Sequence, residues 1–191
     1  MRSWEVNGRT VEREAVLGAA RLMLVSARTA PKSGGVDDVL TMVVSGERKD
    51  AIAREMELIG EGRRLEDKSE GFRRDAENVR RSEAVVLIGV RGNQSFGLDC
   101  GACGYKTCND FQAKGSEMGR DFVGPTCLFK ALDLGIALGS AAKMASMLNV
   151  DNRIMYRVGT AALRLRMLPE GTVIIGIPVS AEGKSIFFDR K

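Results

Sequence analysis

Cys100, Cys103, Cys108 and Cys127 are the four cysteines of this 191-residue chain, spaced C-x2-C-x4-C-x18-C. Three thiols within nine residues and a fourth farther on suit one metal centre with four soft ligands. Thiolate sulfur prefers iron–sulfur clusters or zinc to hard cations. Gly101 and Gly104 directly follow the first two cysteines. They let the backbone bend tightly, so that the thiols converge and amide N–H groups can point at sulfur. Gly124-Pro125-Thr126 turns the chain just ahead of Cys127.

Two other uses of four cysteines compete. Disulfides suit an oxidising compartment, but Met1-Arg2-Ser3-Trp4-Glu5-Val6-Asn7 leads into a charged segment with no secretory signal. A chain of this length also buries a core without staples, so the expectation is a cytoplasmic protein with free thiols. Zinc stays open as the alternative metal. Zinc ribbons usually present two C-x2-4-C pairs, whereas here three cysteines are compact and the last stands alone. Histidine is absent altogether. That removes Ser-His-Asp and Cys-His nucleophile systems, Rieske ligation and histidine zinc sites. Chemistry must then come from a cofactor or from Asp, Glu, Lys, Tyr or Cys.

The 29 basic and 25 acidic residues leave a charge of +4, scattered and without aromatic interleaving, so no nucleic-acid partner is expected. Arg63-Arg64, Arg73-Arg74 and Arg80-Arg81 are diluted by Glu66, Asp67, Glu70, Asp75 and Glu77, as on a solvated helix face. Lys130, Asp133 and Lys143 interrupt the weakly polar stretch from Leu128 to Val150, and no membrane span is expected.

The elements that must position the thiols follow from periodicity. Val16, Ala19, Ala20, Met23 and Leu24 share one face of a helix over residues 12–30, which Pro31 ends. Pro31-Lys32-Ser33-Gly34-Gly35 is a loop, residues 40–44 a strand, and residues 49–59 a charged amphipathic helix broken by Gly60-Glu61-Gly62. A further helix spans 70–81. Ala84 to Val90 is apolar throughout, as in a strand buried on both faces. Residues 92–127, poor in branched apolar side chains, read as a small metal-held insert between scaffold segments 1–91 and 128–191. After it comes a helix carrying Gly135, Ala137, Gly139, Ser140, Ala141 and Ala142, small enough to admit another helix or a flat cofactor. A short strand at 155–158, a helix at 161–168 and a strand at 173–178 close the pattern.

The words from Asp99 to Cys108 resemble the [4Fe–4S] motif "DCGxCGYxxC" of the iron–sulfur subunit of Rnf-type electron-transport complexes and of the corrinoid iron–sulfur protein. The resemblance spans about thirty residues and implies one cubane cluster held by all four cysteines. Outside the insert, the order of weaker words resembles nitroreductase-like flavoproteins. These are Ala30-Pro31-Lys32-Ser33, the run from Ala76 to Val90, Asp133-Leu134-Gly135-Ile136-Ala137 and the run from Val173 to Pro178. Together the two resemble ferredoxin-domain-containing proteins without an assigned function.

That resemblance implies an α+β, nitroreductase-like mixed sheet wrapped by helices, a homodimer, and an FMN site at the dimer interface. The cofactor-binding candidates it suggests are Lys32, Ser33, Gly34 and Gly35, with Arg190 as a terminal phosphate ligand and Met1-Arg2-Ser3 in place of the family's N-terminal Arg-Arg-Ser. The family's Asn and Gln after this loop read Gly35 and Asp37 here. Two functional classes are expected to be separable. One is a redox protein passing single electrons between its cluster and a second centre or an unknown partner. The other is a non-enzymatic binding or sensing module with a structural cluster or zinc.

Overall fold

A computed structural model describes residues 5–63 and 69–188. Arg190 and Met1-Arg2-Ser3 lie outside the described residues. Asn7 accepts the Arg9 amide at 2.9 Å and opens α1 (Gly8–Thr29), whose Val16, Ala19, Ala20, Met23 and Ala27 turn inward. After a single 3-10 turn at Ser33–Gly35 come β1 (Val39–Ser45), α2 (Gly46–Glu61), α3 (Ser69–Arg81) and β2 (Ala84–Val90). The cysteine-bearing segment contributes α4 (Cys108–Ala113) and a two-strand ribbon, β3 (Glu117–Met118) with β4 (Val123–Gly124). Then follow α5 (Leu128–Met147), β5 (Asp151–Asn152), α6 (Tyr156–Arg164) and β6 (Val173–Ser180).

The main sheet has the order β1-β2-β6-β5. All seven residues of β2 are buried. Its even-numbered side chains join α1 and α5 in one core, and Val85 and Leu87 join α2, α3 and α6 in another. Covering on both faces is why this strand shows no alternation. Both β2 and β6 lie inside the sheet, as their apolar runs require. Every ladder among the described residues is antiparallel, so the expectation of a mixed sheet is corrected. The cause lies in the connection: α2 and α3 pack as a pair, returning the chain to the end where β1 left the sheet.

A second correction concerns residues 155–158, expected as a strand. Only Met155 bridges to the sheet, opposite Gly176, and the chain enters α6 at once. Met155, Val158, Ala161 and Ala162 are buried at helical spacing. Gly159 lets α6 press onto β6; a Cβ there would sit 1.6 Å from the Ile174 carbonyl oxygen. The helix consequently starts earlier than residue 161 and ends at Arg164, with Arg166 at φ 51° just beyond it. Part of the small-residue set of α5 faces another helix: Ala137, Ala141 and Ala145 meet α1, and the Ser26 and Ser140 hydroxyls lie 2.8 Å apart across that contact, whereas Gly135 and Gly139 are exposed. Among the described residues no helix is long and apolar enough to cross a membrane.

Candidate metal centre

The segment that bears the cysteines leaves the sheet where β2 ends and returns where α5 begins. Its two stems close on each other. Gly92 N–H donates to Thr172 Oγ1 at 2.8 Å, Cys127 N–H to the Gly92 carbonyl at 2.8 Å, and Thr172 N–H to the Val90 carbonyl at 2.9 Å. Gly92 is required by crowding, since a Cβ would come within 2.6 Å of Thr172 Oγ1 and 2.7 Å of Thr126 Cγ2. Cys127 is thereby fixed at the N-cap of the twenty-residue helix α5, where the helix dipole favours negative charge.

The other three thiols are brought to Cys127 by left-handed turns. Gly101 and Gly104 have φ of 72° and 88°, a region open to glycine, and the Gly104 amide donates to the Gly101 carbonyl at 3.0 Å. Cys108 opens α4, held by a capping box in which Thr107 and Asp110 exchange side-chain to backbone bonds of 3.1 and 3.2 Å. All four cysteines are free and line one pocket that opens to solvent. Burial is graded: Cys127 is buried, Cys103 and Cys108 are half-buried, and Cys100 is exposed.

Aromatic rings wall this pocket. Phe96 and Phe129 stack with centroids 5.2 Å apart, and Tyr105 meets Phe111 edge-on at 5.8 Å. Behind Phe96 stands the α5 residue Lys130, almost wholly buried, with Nζ 5.6 Å from the ring centroid and 2.6 Å from Asp38 Oδ2. Among the described residues, no three Cys, Asp or Glu side chains are placed to share a single metal ion.

A second polar knot ties this segment to the scaffold. Asp121 accepts hydrogen bonds from Arg63 and from the Tyr156 hydroxyl, and Tyr156 meets Phe122 edge-on at 5.3 Å. Burial pushes Asp121 up, but the bonds from Arg63 and Tyr156 and the Arg63 charge outweigh it and hold the carboxyl below its ordinary value. Burial and the Asp121 carboxylate together raise Tyr156.

The flavin candidates lie beside the cysteine pocket. Gly34 packs on Phe96, where a Cβ would sit 2.7 Å from Cζ. The amide and hydroxyl of Ser33 both donate to Asp133 Oδ1 at 2.9 Å. Lys32 turns back to cap α1, donating to the Arg28 carbonyl and, at 2.9 Å, to that of Ala30. Asp37 is paired with Arg28. Burial pushes that carboxyl up, and the Arg28 hydrogen bond and charge hold it below its ordinary value. Gly35 has open space around it. The inward roles of Lys130 and Asp133 were visible in the sequence only as charges in an apolar helix; their helical spacing of three was the available signal.

A family described as "uncharacterized protein containing a ferredoxin domain" (DUF2148) matches residues 123–190, the part that holds Cys127. A protein from Archaeoglobus fulgidus is 48% identical over 185 residues, covering 97% of each chain. Among solved structures, a nitroreductase with bound FMN from Desulfitobacterium hafniense superposes with a TM-score of 0.54 at 12% identity, over 96% of this chain and 82% of that one. The NADPH:FMN oxidoreductase from Vibrio harveyi, complexed with NAD+, gives 0.51 at 10% identity over 96% and 64%. The fold is therefore α+β and nitroreductase-like. With nearly half its residues shared along almost its whole length, the chain belongs to one family with the Archaeoglobus fulgidus protein, and its residues 123–190 match the family model described as containing a ferredoxin domain.

Proposed function

We propose that this protein is an iron–sulfur redox protein that binds one [4Fe–4S] cluster through Cys100, Cys103, Cys108 and Cys127 and passes electrons to a partner. The observation that carries the reading is the ring of four free thiols around one aromatic-walled pocket. The cysteine spacing supports a cluster over zinc, because three thiols are compact and the fourth stands alone, whereas zinc ribbons usually present two C-x2-4-C pairs. When bound, the cluster supplies reversible one-electron transfer. The residues do the rest. Phe96, Phe111 and Phe129 limit water and tune the potential. The exposed Cys100 edge, next to Leu98 at 54% exposure, gives a partner access.

The protein works as a homodimer. Leu128, Leu132 and Ile136, four residues apart along α5, are 41%, 49% and 45% exposed, with the open Gly135 and Gly139 beside them. Such an apolar stripe with small residues suits close approach by a second copy. FMN as a second centre is supported by the fold it shares with flavin-binding neighbours. The loop as arranged does not fit a flavin phosphate, because the Lys32 ammonium and the Ser33 donors are already engaged.

Anaerobic reconstitution tests the cluster. The wild-type chain is expected to take up about four irons, as an all-thiolate cubane requires, and Cys103→Ser to lose most of them. A variant with full iron and an unchanged spectrum defeats the assignment, and one zinc per wild-type chain with no colour moves the protein to the binding-module class.

A further inference from the structure

Asp99 is joined to Cys108 in both directions. Its amide donates to Cys108 Sγ at 3.4 Å, and its Oδ1 accepts the Cys108 amide at 2.6 Å. Because Asp99 immediately precedes Cys100, these two bonds lock the first ligand arm to the start of α4. Its backbone lies at φ 48°, in the left-handed region. Asp and Asn tolerate that region better than other side chains. The position thus makes three demands: a left-handed backbone, an acceptor one methylene from the main chain, and a negative charge beside thiolates. Glycine meets only the first, asparagine the first two, and alanine none.

We propose that Asp99 is a positioning residue for the Cys108 ligand and that its carboxylate sets the redox potential of the centre. The amide bond to sulfur draws charge from the thiolate and favours the reduced state; the carboxylate charge opposes it. Neither effect needs Asp99 to touch metal. The inference rests on the cluster reading above, and its test separates the two.

Asp99→Asn, Asp99→Gly and Asp99→Ala are compared with the wild-type chain and with Cys103→Ser. Each is reconstituted anaerobically, challenged with a chelator, and titrated for its midpoint potential by electron paramagnetic resonance. Circular dichroism checks that the scaffold is folded. Asp99→Asn should keep its iron and show a midpoint potential shifted to more positive values, because a negative charge is gone while the acceptor remains. Asp99→Gly and Asp99→Ala should both lose the carboxylate half of the Cys108 tether and release iron about ten-fold more readily, as expected for an outer contact to a metal ligand. Should Asp99→Gly hold iron as the wild type does, the carboxylate is not the tether and the proposal fails. An unshifted potential in Asp99→Asn overturns the electrostatic half. Full iron in Cys103→Ser would instead sink the ligand assignment itself.

Discussion

Lys130 offers the sharpest test of how the cysteine pocket is supported. Its side chain is 1% exposed, and its ammonium lies 2.6 Å from the Asp38 carboxylate, itself 16% exposed. Lys130→Met keeps most of the packing volume and removes the charge, leaving Asp38 half-stranded between α5 and the end of β2. Breaking a buried pair in this way costs about 3–5 kcal/mol. Arg91 remains 3.9 Å from Asp38 and softens the loss, so the expected cost is about 2–3 kcal/mol. With a urea m-value of about 2–3 kcal/mol/M, the unfolding midpoint of the reduced apo-protein should fall by about 1 M. Adding Asp38→Asn should recover much of the loss, because the stranded charge disappears, and the double-mutant cycle should show coupling of about 2 kcal/mol. The reasoning is refuted if Lys130→Met lies within about 0.5 kcal/mol of the wild type, or if the double variant is no more stable than the single one.

Four further outcomes are expected. Asp121 has a depressed folded pKa, so the stability it contributes is complete above the ordinary aspartate value of about 3.9 and is lost as pH falls through its lower folded value. Asp121→Asn should therefore lower stability at neutral pH and flatten the acid limb of the stability curve, with an unchanged limb counting against the clamp. Tyr156, raised by burial and Asp121, contributes stability present below about pH 10 and lost as pH rises through its folded value. Lys32→Ala should cost about 1 kcal/mol through the lost α1 cap and leave any FMN fluorescence quenching unchanged. Quenching that is saturable in the wild type and lost in this variant would return Lys32 to the phosphate site. Leu132→Glu should convert a micromolar dimer into monomers by sedimentation velocity, and a monomeric wild type would remove the dimer from the proposal.

Much of the architecture was legible because its causes are local. The inward stripe of α1, the stop at Pro31 and the uninterrupted apolar run of β2 each express a period or a backbone restriction within a few residues, whereas α2 runs through Gly60 and Glu61 and ends only at Gly62. Cysteine spacing with its glycines likewise pointed to four thiols at one place, and all four line one pocket. Residues 155–158 misled because four residues are too few to tell the two periods apart, and contact with β6 through Gly159 decided between them.

What the sequence determined by itself is therefore short-range: element types, the grouping of Cys100, Cys103 and Cys108, and the freedom from histidine chemistry. Tertiary structure decided the rest. It brought Cys127 to the other three through the Gly92 and Thr172 closure. It aimed Lys32 back at its own helix, buried Lys130 against Asp38 and joined Ser33 to Asp133 a hundred residues away. It also set β2 antiparallel to β1 through the packing of α2 on α3. Charged side chains look alike in a sequence, because their partners are set by desolvation and by which surfaces meet, and both exist only once the chain has closed on itself.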